Sequence, residues 1–154
     1  MKPGIYFLLL LLLGACNPGQ KKASFDLYSQ PKTPEVFAPG LVSSSMDERD
    51  FALSPKRDEI VFTRGSYDQS LRVLVSVKKH ESGWSEPALL SFSGKYQDIE
   101  PFFSVGGDSL FFASKRPIFN DTTRTDYNIW FVKRAANGWS EPQALEQHHQ
   151  YQRG

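Results

Sequence analysis

The pentapeptide Gly83-Trp84-Ser85-Glu86-Pro87 occurs a second time as Gly138-Trp139-Ser140-Glu141-Pro142 in a chain of 154 residues. Five identical residues that include tryptophan and proline indicate an internal repeat. The numbering of the two pentapeptides differs by 55, but upstream the difference is 50, because Phe51-Ala52-Leu53-Ser54 corresponds to Pro101-Phe102-Phe103-Ser104. This change predicts an insertion in the second copy, within 118–126, where a loop accommodates extra residues.

Each copy contains four short segments rich in strand-forming residues and separated by turn signals. We predict strands at 51–54, 59–63, 71–77 and 86–90 in the first copy, and at 101–104, 109–114, 128–133 and 141–145 in the second. Turn residues join the first two segments of each copy, and Gly106-Gly107 permits positive φ in the second. No 3.6-residue apolar period occurs outside the N-terminal leader, so we expect an all-β protein with four antiparallel strands per copy.

The second copy carries a longer succession of motifs: Asp98 to Ser104, Asp108 to Pro117, Asn128 to Trp130, and Trp139 to Pro142. This succession resembles the TolB-type, WD-repeat-like β-propeller repeat, over residues 35–145. The resemblance implies two four-stranded blades, at about 43–90 and 91–145, with 35–42 as a partial strand of a preceding blade. It also implies structural roles for the motif residues Trp84, Glu86, Pro87, Ser104, Asp108, Trp139, Glu141 and Pro142.

A propeller blade buries its two apolar faces only against neighbouring blades. We therefore expect the large aromatic side chains to fill the space between blades. They are Phe62, Trp84, Phe102, Phe103, Phe111, Phe112, Trp130 and Trp139. For Trp130 or Tyr127, beside the insertion, the alternative is stacking against a carbohydrate.

The number of blades is too small for a closed ring, since propellers have typically four to eight. Three alternatives follow: a truncated propeller, a ring assembled from several chains, or an open stack of two sheets. We favour truncation. An open stack exposes apolar faces and strand edges, so we also expect self-association through exposed blade faces. Residues 146–154 are expected to be a disordered tail.

The N-terminus has the features of an export signal. Lys2 precedes nine apolar residues at 5–13, a segment too short to span a bilayer as a helix. The following Leu13-Gly14-Ala15-Cys16 resembles the lipobox of bacterial lipoproteins, which implies removal of 1–15 and anchoring to the membrane through lipid on Cys16. Residues 16–34 are predicted to be a flexible tether. Asn17 resembles the residues that permit transfer to the outer membrane, where we expect the protein to face the periplasm.

Charge and composition exclude several classes of function. The chain has 18 Lys and Arg residues against 17 Asp and Glu residues, and losing Lys2 with the leader leaves 17 of each, so no nucleic-acid partner is expected. Cys16 is the single cysteine, which excludes an intrachain disulfide. His80, His148 and His149 lack the spacing of a zinc site, and there is neither a nucleophile elbow nor a phosphate-binding glycine loop. We therefore expect no metal, no cofactor and no catalytic residue.

The first hypothesis on function is a non-enzymatic lipoprotein of the cell envelope whose repeats form a protein- or glycan-binding scaffold. Binding sites on rigid β scaffolds concentrate in loops. The candidate ligand loop is therefore the insertion, with Asn120, Asp121, Arg124, Asp126 and Tyr127. The same polar stretch has oxygen ligands suited to calcium, although we favour a simple loop.

The alternative hypothesis is a fragment of a sialidase-like or other glycan-processing propeller. Such an enzyme needs paired carboxylates, for which the candidates are Asp98, Glu100 and Asp108. We favour structural roles for all three. Asp98 and Glu100 are expected to satisfy polar groups between blades, and Asp108 is expected to close a turn.

Overall fold

Ten strands lie between Asp47 and Ala144 in a computed structural model that describes residues 25–118, 121–123 and 125–145. Their bounds are β1 Asp47–Leu53, β2 Glu59–Gly65, β3 Arg72–His80, β4 Gly83–Trp84, β5 Ala88–Leu89, β6 Asp98–Phe103, β7 Ser109–Ser114, β8 Asn128–Ala135, β9 Gly138–Trp139 and β10 Gln143–Ala144. No helix occurs among the described residues from Asp47 to Ala144, so the all-β prediction is confirmed.

The strands form two antiparallel sheets, one for each copy of the repeat. The first sheet has the order β1-β2-β3, and both β4 and β5 pair with β3. The second has the order β6-β7-β8, and both β9 and β10 pair with β8. The fourth strands predicted at 86–90 and 141–145 are shorter, at β5 and β10, and a further two-residue strand, β4 or β9, precedes each of them. Between them lies Ser-Glu-Pro, whose proline has no N–H group for the ladder.

The register of the first sheet is repeated in the second. Val61 pairs with Ser76, and their counterparts Phe111 and Phe131 pair with each other. The numbering difference between the copies changes from 50 to 55 on passing from β7 to β8, which is where the insertion lies. The repeat in the sequence is therefore a repeat of the backbone structure.

A bulge in the first strand of each sheet has the same geometry. The register shifts within β1 and again at the equivalent place within β6. Asp50 in the first bulge has a φ of 56°, and its counterpart Glu100 in the second has a φ of 55°. A left-handed backbone disfavours residues with a side chain, so its recurrence marks the bulge as a fixed part of each copy.

The two sheets pack face to face. The residues that form the core between them are Ala52, Val61, Leu74 and Leu90 from the first copy, and Phe103, Leu110, Phe112, Ile118, Trp130, Val132 and Ala144 from the second. Opposite faces of the repeat thus meet, because the core contains Val61 of the first sheet together with Leu110 and Phe112 of the second, but not Phe111, the counterpart of Val61. We call this arrangement, in which unlike faces of the repeat are in contact, head-to-tail stacking of the sheets.

Residues 25–42 cover the far face of the first sheet. Ala38, Leu41 and Val42 are buried there, in the same core as Phe62 and Trp84. The prediction of a partial strand at 35–42 is wrong. The segment has only an isolated bridge from Pro39 to Ser43, because the backbone turns through positive φ at residues 38 and 40.

The aromatic side chains divide into two groups. Phe103, Phe112 and Trp130 are buried between the sheets, while Phe62 and Trp84 are buried beneath residues 25–42. The expectation of burial is wrong for Phe102, which is 68% exposed, and Phe111 and Trp139 are only half-buried. The exposure of Phe102 and Phe111 follows from their position, because both lie on the outer face of the second sheet.

The predicted leader at 1–15, the first part of the tether with Cys16, and the tail at 146–154 lie outside the described residues. Within the described part of the chain, no helix has the length and apolar character needed to cross a bilayer.

Candidate functional site

The serine of each pentapeptide joins the interrupted fourth strand to its neighbour. Ser85 Oγ accepts a hydrogen bond from the Lys78 N–H at 3.0 Å, and the Ser85 N–H donates to the Lys78 carbonyl at 2.8 Å. Ser140 makes the same two bonds to Lys133, at 3.0 and 2.8 Å. Each hydroxyl also donates to the carbonyl of the following glutamate, at 2.9 and 3.0 Å. The serines, which we did not single out in the sequence, thus hold the outer edge of each sheet.

The other pentapeptide residues have different surroundings in the two copies. Trp84 is buried and stacks on Phe25, with ring centroids 4.7 Å apart. Trp139 is half-buried, and the guanidinium carbon of Arg134 lies 3.9 Å from its ring centroid. The side chains that follow are Glu86 and Glu141, both exposed, and Pro87 and Pro142, both half-buried.

A serine and an aspartate close the turn that follows the first strand of each sheet. Ser104 Oγ donates to Asp108 Oδ1 at 2.6 Å, and in the first copy Ser54 Oγ donates to Asp58 Oδ1 at 2.7 Å. The Ser104 hydroxyl holds the pKa of Asp108 below its ordinary value of 3.8. The expectation that Asp108 closes a turn is therefore met, since it lies in the turn between β6 and β7 and accepts a hydrogen bond across it.

Asp98 forms a buried ion pair with Arg116. The Arg116 guanidinium donates to both carboxylate oxygens, and its Nη2 lies 3.2 Å from Asp98 Oδ2. Ser93 Oγ also donates to Asp98 Oδ2, at 2.7 Å. Arg116 donates further to Ser114 Oγ at 2.8 Å and to the Phe92 carbonyl. The ion pair therefore holds the segment that connects the first sheet to β6, the first strand of the second sheet.

The first copy has an equivalent pair built from different residues. Arg64 Nε donates to Glu48 Oε1 at 3.0 Å, and Arg64 Nη2 donates to the carbonyls of Leu41 and Val42 at 3.4 Å. Val42 is the counterpart of Phe92 in the repeat, so each arginine binds the connection at the same place. In the sequence, Arg116 was visible only as part of the motif from Asp108 to Pro117, and we assigned it no role.

The three carboxylates of the glycan-processing alternative have separate surroundings. Asp98 is enclosed by its ion pair, whereas Glu100 is exposed in the β6 bulge. Asp98 and Asp108 are at opposite ends of β6, a strand of six residues and so about 20 Å long. Trp130 is buried between the sheets, which leaves Tyr127 as the aromatic residue beside the insertion for carbohydrate stacking.

The candidate ligand loop is described in part, since Asn120 and Arg124 lie outside the described residues. Asp121 and Asp126 are exposed, and Asp121 Oδ1 accepts hydrogen bonds from the Thr123 N–H and hydroxyl at 3.0 and 2.6 Å. Tyr127 Oη donates to Gln97 Oε1 at 2.7 Å. Gln97 Nε2 donates in turn to the carbonyls of residues 69 and 70, at 3.3 and 3.4 Å. The end of the insertion is thereby tied to the β2–β3 loop of the first sheet.

A cleft of about 420 Å³ opens between the two sheets at their turn ends. Glu59 lines it with a side chain that is 3% exposed. One Glu59 oxygen accepts a hydrogen bond from Arg134 of the second sheet, whereas Oε1 has no hydrogen-bond donor among the described residues, and Lys78 Nζ lies 3.9 Å away. Lys56, Lys79 and His80 also line the cleft.

The chemistry of this cleft suits a polar ligand. Glu59 Oε1 has Lys78 Nζ at 3.9 Å but accepts no hydrogen bond from a described residue, so it suits a hydroxyl or amine donor, and the surrounding lysines attract an anionic group. The sequence contains one signal for this site, a difference between the copies: Glu59 stands where the second copy has Ser109.

No group of three or more metal-ligating side chains occurs within the described ranges. No protein-family model matches the chain, and comparison with curated proteins finds no significant match. The fold therefore defines the class of this protein: an all-β chain with two stacked antiparallel sheets of repeated register.

Proposed function

We propose that the protein is a non-enzymatic, lipid-anchored component of the bacterial cell envelope whose TolB-like propeller repeats bind a protein or glycan partner. The observation that carries this proposal is the shared register of two sheets stacked head to tail. Repeat proteins use such stacks as rigid supports, and the loops and clefts at the ends of the strands supply the binding residues.

The lipid anchor is supported by the export signal and by the lipobox-like residues that end at Cys16. Metabolic labelling with an alkyne fatty acid in a bacterial host tests it. We expect label on the wild type and on the control variant Asn17→Ser, and no label on Cys16→Ser. Equal labelling of Cys16→Ser would contradict the anchor.

We infer that the ligand binds in the Glu59 cleft or in the loop at Asp121 to Tyr127. The full chain should be titrated with muropeptides and with sialyllactose by isothermal calorimetry. We expect Glu59→Gln or Asp126→Asn to weaken binding at least about tenfold, the effect of losing a hydrogen bond to a charged group. The control is Glu86→Gln, an exposed acid outside both regions. Failure of both glycans and of an envelope-protein pull-down to give a saturable ligand would contradict a binding role.

The same samples test the glycan-processing alternative through mass spectrometry of the glycans after incubation. Glu100→Gln is the suitable variant, because Glu100 is exposed, whereas changing Asp98 breaks a buried ion pair. Cleavage that disappears in Glu100→Gln would overturn the non-enzymatic proposal.

A further inference from the structure

The walls of the Glu59 cleft come from both copies of the repeat. The first copy supplies residues of the turn between β1 and β2 and the end of β3, and the second supplies Gly106, Gly107 and Arg134. The cleft therefore depends on the stacking of the two sheets. Its volume of about 420 Å³ lies in the range of sites that hold small molecules, so its side chains decide which small molecule suits it.

One carboxylate oxygen of Glu59 lacks a hydrogen-bond donor. The Glu59 side chain is 3% exposed, and its Oε2 accepts a hydrogen bond from Arg134. Arg134 is held in place by a further bond from its Nε to the Gly107 carbonyl, at 3.3 Å, and by stacking on Trp139. Oε1 accepts no hydrogen bond from a described residue, although a buried polar atom ordinarily has at least one partner. A ligand with a donor group would supply that partner.

Lys78 decides which kind of donor suits Oε1. Its Nζ lies 3.9 Å from Oε1, too far for a hydrogen bond but close enough to balance the charge of the carboxylate. A ligand ammonium group at Oε1 would be repelled by this lysine, whereas a neutral hydroxyl group would not. The Lys78 side chain is 47% exposed, so it can change rotamer and admit a hydroxyl group to the oxygen.

The charged side chains that line the cleft favour an anionic group. Lys56 and Lys79 are exposed, while the carboxylates of Asp58 and Asp108 each accept a hydrogen bond from the serine of their own turn. Among the described residues that line the cleft, the cations are Lys56, Lys78, Lys79 and Arg134, and the acids are Asp58, Glu59 and Asp108. With His80 neutral, the excess of one positive charge balances a carboxylate but not a phosphate dianion.

We propose that the Glu59 cleft binds a sugar acid, with a hydroxyl group donating to Glu59 Oε1 and the carboxylate near Lys56 and Lys79. This inference rests on the proposed binding function, and it selects the cleft over the loop at Asp121 to Tyr127. A sugar acid combines the two required features, because its ring carries hydroxyl donors and its carboxylate carries a single negative charge.

Calorimetric titration of the full chain with methyl β-D-glucuronide tests the class of ligand. We expect saturable binding that weakens at high salt, because screening reduces the attraction of the lysines. Methyl β-D-glucoside, which has the hydroxyl groups but no carboxylate, should bind at least about tenfold more weakly. A lack of saturation by the glucuronide, equal affinity for the two glycosides, or tighter binding of glucose 6-phosphate would overturn the proposal.

Variants test the location of the site. Glu59→Gln should weaken binding of the glucuronide at least about tenfold, and Lys79→Gln about threefold, the effect of one exposed charge. Lys79 is exposed, so this second variant keeps the test decisive if Glu59→Gln fails to fold. The control is Lys95→Gln, at an exposed lysine outside the cleft, which should leave the affinity unchanged.

The titrations with muropeptides separate this inference from the proposed function. Saturable binding that Asp126→Asn weakens, and that Glu59→Gln and Lys79→Gln leave unchanged, would overturn the sugar-acid cleft alone. The absence of any saturable glycan or protein ligand would contradict the binding function as well.

Discussion

At the scale of single residues, the buried carboxylate of Asp98 depends directly on the groups that surround it. Asp98 is fully buried, and the guanidinium of Arg116 binds it together with the hydroxyl of Ser93. A charge in such a place is tolerated only when it is paired and hydrogen-bonded. Glu48 and Arg64 form the corresponding ion pair in the first copy, although Arg64 lies two positions earlier in the repeat than Arg116.

Removing the arginine leaves the buried charge without a partner. We expect Arg116→Met to lower the free energy of unfolding by about 3–5 kcal/mol, measured by urea denaturation. The matched control is Arg49→Met, which breaks the more exposed Arg49–Asp50 pair and should cost less than about 1 kcal/mol. Equal losses in the two variants would contradict the role assigned to Arg116.

The turn aspartate makes stability depend on acid. Hydrogen bonds, chiefly from Ser104, lower the pKa of Asp108 in the folded protein below 3.8, so its contribution to stability is present above pH 3.8. That contribution is lost as the pH falls through the folded pKa. The urea midpoint of Asp108→Asn should therefore fall less steeply than that of the wild type below pH 3.8. Glu86→Gln, an exposed variant away from the turn, should keep the wild-type slope, and an unchanged slope in Asp108→Asn would refute the assignment.

At the scale of elements, the turns between the first two strands bring the sheets together. Gly107 has a φ of 72°, and a Cβ added there would lie 3.2 Å from Cδ of Pro55 in the turn of the first sheet. Its counterpart Arg57 has a φ of 58°. The backbone of this turn is thus the same in both copies.

Two neighbouring glycines provide a test of this turn. Gly107→Ala should destabilise the protein by about 1–2 kcal/mol, because alanine is strained at positive φ. Gly106→Ala should cost less than about 0.5 kcal/mol, since the nearest atom to its added Cβ is a side-chain oxygen at 3.7 Å. Thermal unfolding of both variants gives the comparison, and equal losses would mean that the backbone of residue 107 is not under this constraint.

Strands were predictable from the sequence where the apolar pattern was regular, and β7 was predicted with the right bounds. The short strands before the break, β4 and β9, were not predicted, because the serine side-chain hydrogen bonds that hold the chain beside β3 and β8 at the break are not visible in the local pattern. The covering segment was missed for a similar reason. Positive φ at Ala38, a residue without turn preference, ends any strand there.

At the scale of the whole molecule, the sheets depend on each other. Phe112 of the second sheet is buried against side chains of the first, so a cavity at this position removes contacts from both. We expect Phe112→Ala to cost about 3–5 kcal/mol. Native-state hydrogen exchange should show equal losses of protection in β2 and β7, whereas Phe102→Ala, at an exposed site, should change neither by more than about 1 kcal/mol. A loss confined to β7 would mean that the sheets unfold separately.

The candidate site was less predictable than the fold. The repeat gave the positions of Ser104 and Asp108, because identical turns need the same residue types. The Glu59 cleft depends on an ion pair between side chains that are distant in sequence, Glu59 and Arg134, which no local motif encodes. Only the stacking of the sheets brings these side chains together.

The segment that lies over the first sheet also limits how far assembly can proceed. Units that stack front to back have two unlike ends, and each joint leaves a fresh surface for the next, which is the geometry of a filament. With residues 25–42 in place, one end of this molecule is closed to such growth. A face covered by the chain's own segment has no room for a further sheet, so an element with no regular secondary structure limits growth at that end of the molecule.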